Sequence, residues 1–118
     1  VIDQIPAGIN EYETSETWGN GKRFGIVPLT HNRLYWFATI NASQNNEQLK
    51  RYRVEDLLRE FSDFHTPILE ILKHTKEDQL IWSDINDIAP IKKFSFGRIL
   101  LMGDAAHPTT PNLGQGAC

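Results

Sequence analysis

The chain has 118 residues, of which 40% are apolar and 23% charged, a composition typical of a single globular domain. Its net charge of −3 excludes nucleic acid as the main partner, because phosphate binding needs a surplus of Lys and Arg on one face. No apolar run approaches the ~20 residues that a membrane-spanning helix requires, so we predict no membrane span.

The first part of the chain predicts an antiparallel hairpin. Residues 13–18 and 22–27 have strand character, and the Asn20-Gly21 pair between them is favoured where a tight turn needs positive φ. Pro28 cannot donate to a strand ladder, so we expect the second strand to end at residue 27. Residues 30–32 then have the composition of a turn.

Residues 33–41 form the clearest predicted strand. Alternation along the strand gives it two faces. One face carries Leu34, Trp36, Ala38 and Ile40, and the other carries Tyr35, Phe37 and Thr39. Because both sets include large apolar side chains, we expect both faces to be covered at least in part.

Two helices are predicted next. Asn45 or Asn46 can cap a helix whose apolar residues recur at helical spacing up to Phe61, which predicts a helix over residues 46–61. Thr66-Pro67 is a start signal for a second helix over residues 66–74, in which the Thr66 hydroxyl caps and Pro67 takes the first helical position. A further strand is predicted at 79–85, followed over 88–96 by an irregular connection that can include a short strand.

The pattern changes in the terminal residues 97–118. Ile99 to Met102 form an unbroken apolar run, which is typical of a strand buried on both faces of a parallel sheet. The whole chain predicts an α+β fold, with a mostly antiparallel sheet of four or five strands, two helices on one face, and the strand 98–103. Because no βαβ partner for that strand is evident, we expect it to join the sheet edge, to pair with another copy of the chain, or to be poorly ordered.

Asp104 is the strongest candidate for a binding residue. A strand that ends in Gly103-Asp104 places a carboxylate where open α/β sheets bind ligands, and that carboxylate can accept hydrogen bonds from sugar-like hydroxyls. Further on, Gly114-Gln115-Gly116 allows a backbone to approach a flat ligand as the next helix begins. The residues alone favour a second interpretation equally, in which Asp104 caps a turn and the glycines form a bend.

The sequence lacks the residue spacing that metal, hydrolase and phosphate-binding sites require. The four histidines have no i,i+4 pair and no neighbouring cysteine, so we predict no metal site. The usual hydrolase and phosphate-binding sequences, GxSxG, GxGxxG and the Walker loop, do not occur. A hydrolase that uses Asp104 and His107 stays an alternative. The single cysteine, Cys118, has no catalytic partner, and it excludes an intrachain disulfide, which favours a cytoplasmic location.

The terminal segment GRILLMGDAAHPTTPNLGQGAC resembles a signature of a known family. It is similar to the second flavin-binding signature of the FAD-dependent aromatic hydroxylases, the para-hydroxybenzoate hydroxylase-like flavoprotein monooxygenases. The match rests on Gly103-Asp104-Ala105-Ala106-His107, Pro111 and Gly114-Gln115-Gly116, at the spacing of that family. The stretch RFGIVPLTHNRLYWFATIN resembles, less specifically, the substrate-side sheet of the same family.

This resemblance implies an activity and a set of roles. The activity is that of an FAD- and NAD(P)H-dependent monooxygenase, which inserts one atom of O2 into an organic, aromatic or unsaturated substrate. Asp104 would hydrogen-bond the ribityl chain of FAD, and Pro111 would lie beside the flavin ring where oxygen reacts. The backbone at Leu113, Gly114 and Gln115 would meet the pyrimidine end of the ring, where N–H groups at a helix start stabilise the anion of reduced flavin, and Gly103 and Gly116 are further cofactor-binding positions.

The sheet aromatics are the candidates for substrate contact. In the picture that the resemblance implies, Tyr35, Trp36 and Phe37 line the substrate cavity. A strand aromatic that faces helices usually serves packing, which is the more favoured role for Trp36. The resemblance assigns no direct role to His107.

The sequence also departs from the family pattern. The N-terminal dinucleotide fingerprint is missing, as is the Asp-Gly motif that serves FAD and NAD(P)H. We therefore expect a central excerpt, with residues 1–96 as the substrate-domain sheet and helices and residues 97–118 as a truncated return into the FAD-binding domain. Such an excerpt would be inactive alone, and its unpaired strand could form a homo-oligomer. The alternatives are a reductase or halogenase of the same fold, and a non-catalytic binding or assembly module.

Overall fold

The computed structural model describes residues 1–86 and 88–110. The chain divides into two compact units, Val1–Trp82 and Ser83–Cys118. The first unit contains three strands and two α-helices, and the described part of the second contains a two-stranded hairpin. These elements confirm the predicted α+β class, although the strands form two separate sheets and not one sheet of four or five.

The first sheet is a three-stranded antiparallel meander. Its strands are β1 (Ser15–Gly19), β2 (Lys22–Leu29) and β3 (Arg33–Ile40), in the order β1-β2-β3. Gly19 pairs with Lys22 across a two-residue turn, in which Gly21 takes a φ of +69°. This confirms the predicted hairpin and the reason for a glycine in its turn.

Strand β2 continues through Pro28, so the prediction that it ends at residue 27 was wrong. Pro28 lies opposite Leu34 in the β2–β3 register. The N–H and C=O of Leu34 both bond to Ile2 on the other side, at 3.0 and 2.8 Å. Because Leu34 makes its hydrogen bonds away from Pro28, the ladder at this pair does not need the donor that proline lacks.

The first predicted helix is two elements. A 3-10 helix at Leu49–Arg51 comes first and has Gln48 at its N-cap, so it begins two residues later than a cap at Asn46 predicts. The Asn46 Oδ1 still accepts hydrogen bonds from the amides of Gln48 and Leu49, at 3.0 and 3.1 Å. The helix α1 (Val54–Glu60) then begins anew. The prediction of one continuous helix over residues 46–61 was therefore wrong.

The interruption has a local cause. Arg53 is extended, with φ −106° and ψ 172°, and its amide donates to the Asp56 Oδ2 at 2.9 Å. That hydrogen bond satisfies a backbone donor at the start of α1, as in a capping box. The apolar periodicity on both sides of the break concealed this second start.

The second helix, α2 (Ile68–Lys73), lies inside the predicted range of residues 66–74. Pro67 occupies the N-cap position, and no side chain caps the helix. The predicted capping role of the Thr66 hydroxyl was therefore wrong, because the helix begins one residue later than expected.

Both helices pack on one face of the three-stranded sheet, as predicted. Three rings at the centre are in contact. Phe24 stacks on Trp36 with ring centroids 5.2 Å apart, and it meets Phe61 edge-on with centroids 5.6 Å apart. The buried core consists of Ile2, Phe24, Ile26, Leu34, Leu57, Phe61, Phe64, Ile68, Ile71 and Leu72. Full burial of such side chains contributes roughly 1.5–3 kcal/mol each, so this face carries most of the stability of the unit.

A polar cluster ties the first hairpin to the connection between α1 and α2. The ammonium of Lys22 donates to the Asp63 Oδ1 at 2.8 Å and to the carbonyl oxygen of Glu60. Its hydrogen bond to Asp63 is the main reason why the pKa of that carboxyl lies below its ordinary value of 3.8. Nearby, the Thr17 hydroxyl and the His65 Nε2 form a 2.8 Å hydrogen bond.

The prediction of a strand over residues 79–85 was wrong. Glu77–Gln79 is a 3-10 helix, and residues 80–86 are neither strand nor helix. The side chain of Ile81 is 94% exposed while Leu80 packs against the core of the first unit, so the apolar run Leu80-Ile81-Trp82 is not buried on both faces. An apolar run alone cannot supply the hydrogen-bonding neighbour that a strand requires.

The second unit contains the short hairpin of β4 (Ser95–Phe96) and β5 (Ile99–Leu100). This confirms a short strand within residues 88–96. The longer predicted strand 98–103 is reduced to two residues, which pair antiparallel and leave Ile99 and Leu100 about two-thirds exposed. In the described residues, the apolar run is therefore not buried in a parallel sheet.

Candidate functional site

The turn after β5 carries the first candidate residue, Asp104. The backbone is extended at Met102 and reverses at Gly103, whose φ of +55° lies in the left-handed region that favours glycine. The amides of Ala106 and His107 both donate to the Gly103 carbonyl oxygen, at 2.8 and 2.9 Å. These bonds fix the backbone on both sides of Asp104.

The carboxylate of Asp104 is available to a ligand. Asp104 is exposed, and the 3-10 helix Gly103–Ala105 has no side-chain cap, so the turn does not depend on this carboxylate. No residue in the described ranges 1–86 and 88–110 forms a hydrogen bond or ion pair with it. An exposed acceptor of this kind suits the hydroxyls of a polyol, so this part of the chain fits the ribityl portion of FAD.

The other candidate flavin contacts lie outside the described residues. These are Pro111, Leu113, Gly114, Gln115 and Gly116. Their assignments stay predictions, as does the view that Cys118 has no catalytic role. His107 is exposed, and no hydrogen bond between its ring and Asp104 is present among the described residues, so the geometry gives the hydrolase alternative no support.

The three sheet aromatics lie on opposite faces of β3. Trp36 faces the helices: its ring stacks on Phe24, and its Nε1 donates to the Thr75 Oγ1 at 3.0 Å. The Thr75 hydroxyl in turn donates to the Ile71 carbonyl oxygen at 2.9 Å. Trp36 therefore sits against the core, as its packing interpretation predicts.

Tyr35 and Phe37 lie on the other face, which we call the outer face of the sheet. Its residues, from the pairing register, include Glu16, Trp18, Arg23, Gly25, Tyr35, Phe37 and Thr39. The Tyr35 and Phe37 rings are 6.2 Å apart with a tilt of 36°, and Tyr35 is 43% exposed. Together they offer an aromatic surface to a ligand.

The outer face also carries a charged group that the sequence interpretation missed. Arg23 forms an ion pair with Glu16 at 3.1 Å, donates from Nε to the Thr39 Oγ1 at 3.3 Å, and lies 5.2 Å from the Trp18 ring centroid. A guanidinium held from three sides presents a fixed donor beside the aromatic rings. The strand register could have revealed it, because Trp18, Arg23 and Thr39 pair in one row.

Other functional features are not found in the described part of the chain. No group of three or more His, Asp and Glu side chains there could hold a metal ion. No helix among the described residues is long and apolar enough to cross a bilayer.

Comparisons with known proteins identify relatives across the whole chain. The family model described as "FAD binding domain" matches residues 8–117. The aurachin C monooxygenase/isomerase of Stigmatella aurantiaca is 43% identical over 117 residues, which are 99% of this chain and 30% of that protein. These findings confirm the family resemblance predicted from the terminal segment.

Solved structures agree with this. A variant of HpxO from Klebsiella pneumoniae, complexed with FAD, superposes with a TM-score of 0.78 at 27% identity over 99% of this chain and 31% of that one. HpxO complexed with FAD and uric acid gives a TM-score of 0.67 at 31% identity, over 85% of this chain and 26% of that one. The chain thus spans about a third or less of the length of these relatives.

Proposed function

The chain belongs to the FAD binding domain family, and on that premise we propose that it is part of an FAD- and NAD(P)H-dependent monooxygenase. In the overall reaction, a C–H bond of an organic substrate becomes C–OH, or a double bond becomes an epoxide. O2 supplies the inserted oxygen atom, its second atom leaves as water, and NAD(P)H with one proton supplies two electrons. FAD, when bound, supplies the redox chemistry for this exchange.

One observation carries the proposal: the span that matches the FAD-binding family, residues 8–117, contains the exposed Asp104. We propose that this carboxylate accepts hydrogen bonds from the ribityl hydroxyls. Two observations support this role: the Gly103 turn fixes the backbone around Asp104, and the carboxylate has no partner among the described residues. A hydroxyl donating to a carboxylate forms a short, charge-assisted bond, which orients the ligand as well as holding it.

The remaining flavin contacts are proposed from the family signature. Pro111 is placed beside the ring, the backbone of Leu113, Gly114 and Gln115 at its pyrimidine end, and Gly116 among the other cofactor-binding positions. Amide groups in such a position would favour negative charge on the ring, and a proline beside it would exclude water without offering a proton donor.

We propose the outer face of the sheet as the substrate-facing wall. Tyr35 and Phe37 would contact the flat part of the substrate, while Trp36 would hold the strand from the core side. Arg23 would donate hydrogen bonds to an oxygen of the substrate. Its support is geometric, because the contacts with Glu16 and Thr39 hold the guanidinium in place before any ligand arrives.

We also propose that residues 1–96 form the substrate-side part and residues 97–118 return into an FAD-binding domain. The two-thirds exposure of Ile99 and Leu100 supports this, because an apolar hairpin of this kind gains stability when further polypeptide covers it. A second copy of the chain is one such cover. The low cysteine content supports a cytoplasmic location as part of this proposal.

The test is to purify the native protein that contains this chain and to follow flavin, reductant and oxygen together. We expect the absorbance of bound flavin, and oxidation of NADH or NADPH that is stimulated by a planar heteroaromatic substrate. Uric acid, which is bound by HpxO in the solved complex, is a first probe. With 18O2, one labelled atom should appear in the product.

Each other outcome points to a different activity. NAD(P)H oxidation without labelled product would indicate a reductase, and a halogenated product in the presence of halide would indicate a halogenase. A colourless protein that does not bind added FAD would overturn the proposal and favour a non-catalytic module.

A further inference from the structure

Gly25, in the middle strand of the sheet, has a role that its backbone does not explain. Its φ is not in the left-handed region, so an ordinary residue could adopt its conformation. It is buried and pairs directly with Phe37 across the β2–β3 ladder. Glycine is therefore needed here because another group occupies the space that a side chain would take.

The Phe37 ring occupies that space. A Cβ atom at Gly25 would lie 2.1 Å from the Phe37 Cε1 and 2.2 Å from its Cζ. An ordinary contact begins at 3.4 Å, so the ring would have to move away by more than 1 Å. Phe37 thus lies flat across the middle strand, where any other residue at position 25 would lift it.

A flat Phe37 gives the outer face its shape. The ring lies low on the sheet, and the neighbouring Tyr35 ring is tilted by only 36° relative to it. Arg23 stands one pair further along β2 on the same face, where it contacts Trp18 and Glu16. A planar molecule could therefore rest on the two rings while its polar edge meets the guanidinium.

We propose that Gly25 is a positioning residue, which keeps the Phe37 ring flat on the sheet and so sets the depth available to a planar substrate on the outer face. This inference rests on the proposed function, because it requires that the outer face contact substrate. It adds a residue that touches no substrate itself but acts through the Phe37 ring.

A purely structural role for Gly25 makes a different prediction. Glycine and aromatic residues in register across a sheet can stabilise it by packing alone. In that case, substitution would lower stability and would leave the Michaelis constant of the folded enzyme unchanged. The two roles can therefore be separated by comparing KM with kcat and with the melting temperature.

The experiment uses the native holoenzyme and its Gly25→Ala variant, with the planar substrate that the wild type oxidises. We expect kcat/KM to fall about 10- to 200-fold, the range associated with one methylene group in an apolar site, mainly through KM. The flavin absorbance should be unchanged. The double variant Gly25→Ala/Phe37→Leu should recover the KM of Phe37→Leu alone, because the smaller side chain removes the clash.

Gly19→Ala is the matched control. It adds the same methyl group to the same sheet but on the helix-facing side, where the Cβ would lie 2.7 Å from the Phe64 ring. We expect it to lower the melting temperature and to leave KM within about twofold. If Gly25→Ala does not fold, the double variant and Phe37→Leu still report on the site.

Two results would overturn the inference. The first is a Gly25→Ala enzyme with wild-type KM, and the second is a double variant whose KM stays above that of Phe37→Leu alone. Either result leaves the proposed function standing, because the wild type would still oxidise NAD(P)H and hydroxylate substrate. If the wild type itself shows no flavin-dependent oxidation, the proposed function has failed independently of Gly25.

Discussion

Replacing Asp104 by Ala should weaken FAD retention without destabilising the apoprotein. A hydrogen bond to a carboxylate contributes about 1.5–3 kcal/mol when it is sheltered from water, as it would be under a bound cofactor. Since 1.4 kcal/mol is tenfold in affinity, loss of one such bond should raise the Kd for FAD roughly 10- to 150-fold. Asp104 is exposed and has no partner among the described residues, so the free energy of unfolding should change by less than about 0.5 kcal/mol.

Two measurements are needed, both on the native protein that contains this chain. Titration of apoprotein with FAD, followed by flavin fluorescence, gives the Kd, and urea denaturation of the apoprotein gives its stability. Asp104→Asn keeps an acceptor oxygen without the charge, so its Kd should lie between those of the wild type and Asp104→Ala. Asp3→Asn is the control, because Asp3 is also exposed but precedes the family-matched span of residues 8–117.

The contrary result is equally clear. If Asp104→Ala binds FAD with wild-type affinity while the apoprotein loses stability, the carboxylate serves the fold and not the cofactor. If Asp3→Asn weakens FAD binding as much as Asp104→Asn, the effect is one of net charge. In either case the assignment of Asp104 to the ribityl chain must be abandoned.

Three further predictions concern the first unit. Phe61→Ala should lower the free energy of unfolding by about 3–5 kcal/mol in urea, because the ring is fully buried; a loss below about 1 kcal/mol would contradict the core described above. Trp36→Phe should cost about 0.5–1.5 kcal/mol in the same assay, since the hydrogen bond to Thr75 is lost, and an unchanged stability would show that this bond contributes nothing. Lys22 lowers the pKa of Asp63 in the folded protein. The contribution of this pair to the free energy of unfolding is therefore present above the ordinary pKa of 3.8, and it is lost as the pH falls through the folded pKa. Thermal unfolding from pH 5 down to about pH 2 should show this loss in the wild type but less of it in Lys22→Met; parallel curves would refute the pairing.

The local patterns predicted the first sheet well, where side chains alternate and a turn pair is present. The alternation of residues 33–41 predicted β3, and Asn20-Gly21 predicted the turn between β1 and β2. The failures have two kinds of cause. The break in the first helix is local, because the Arg53 amide bonds to the Asp56 side chain, whereas the Pro28 error depends on a residue distant in sequence. Pro28 stays in its strand because Leu34 bonds to Ile2, a contact that no local pattern contains.

The sequence identified only some residues of the candidate site. Asp104 was identified from its motif, and the structure adds that its carboxylate is exposed at a fixed turn. Arg23 was missed, because its significance arises from Glu16 and Thr39 on neighbouring strands. Gly25 was missed for the same reason, since a glycine inside a strand acquires meaning only when the ring opposite it is known.

Under the proposed function, the two faces of the sheet divide two tasks, with stability on the inner face and substrate specificity on the outer face. The inner face fixes β3 through Trp36, Phe24 and the helices, so the outer face can change its side chains at little cost to the core. We therefore expect substitutions at Tyr35 and Phe37 to alter which planar substrate is accepted. Substitutions on the inner face should instead alter the free energy of unfolding. A Tyr35 or Phe37 variant that lost stability but kept its substrate preference would contradict this division.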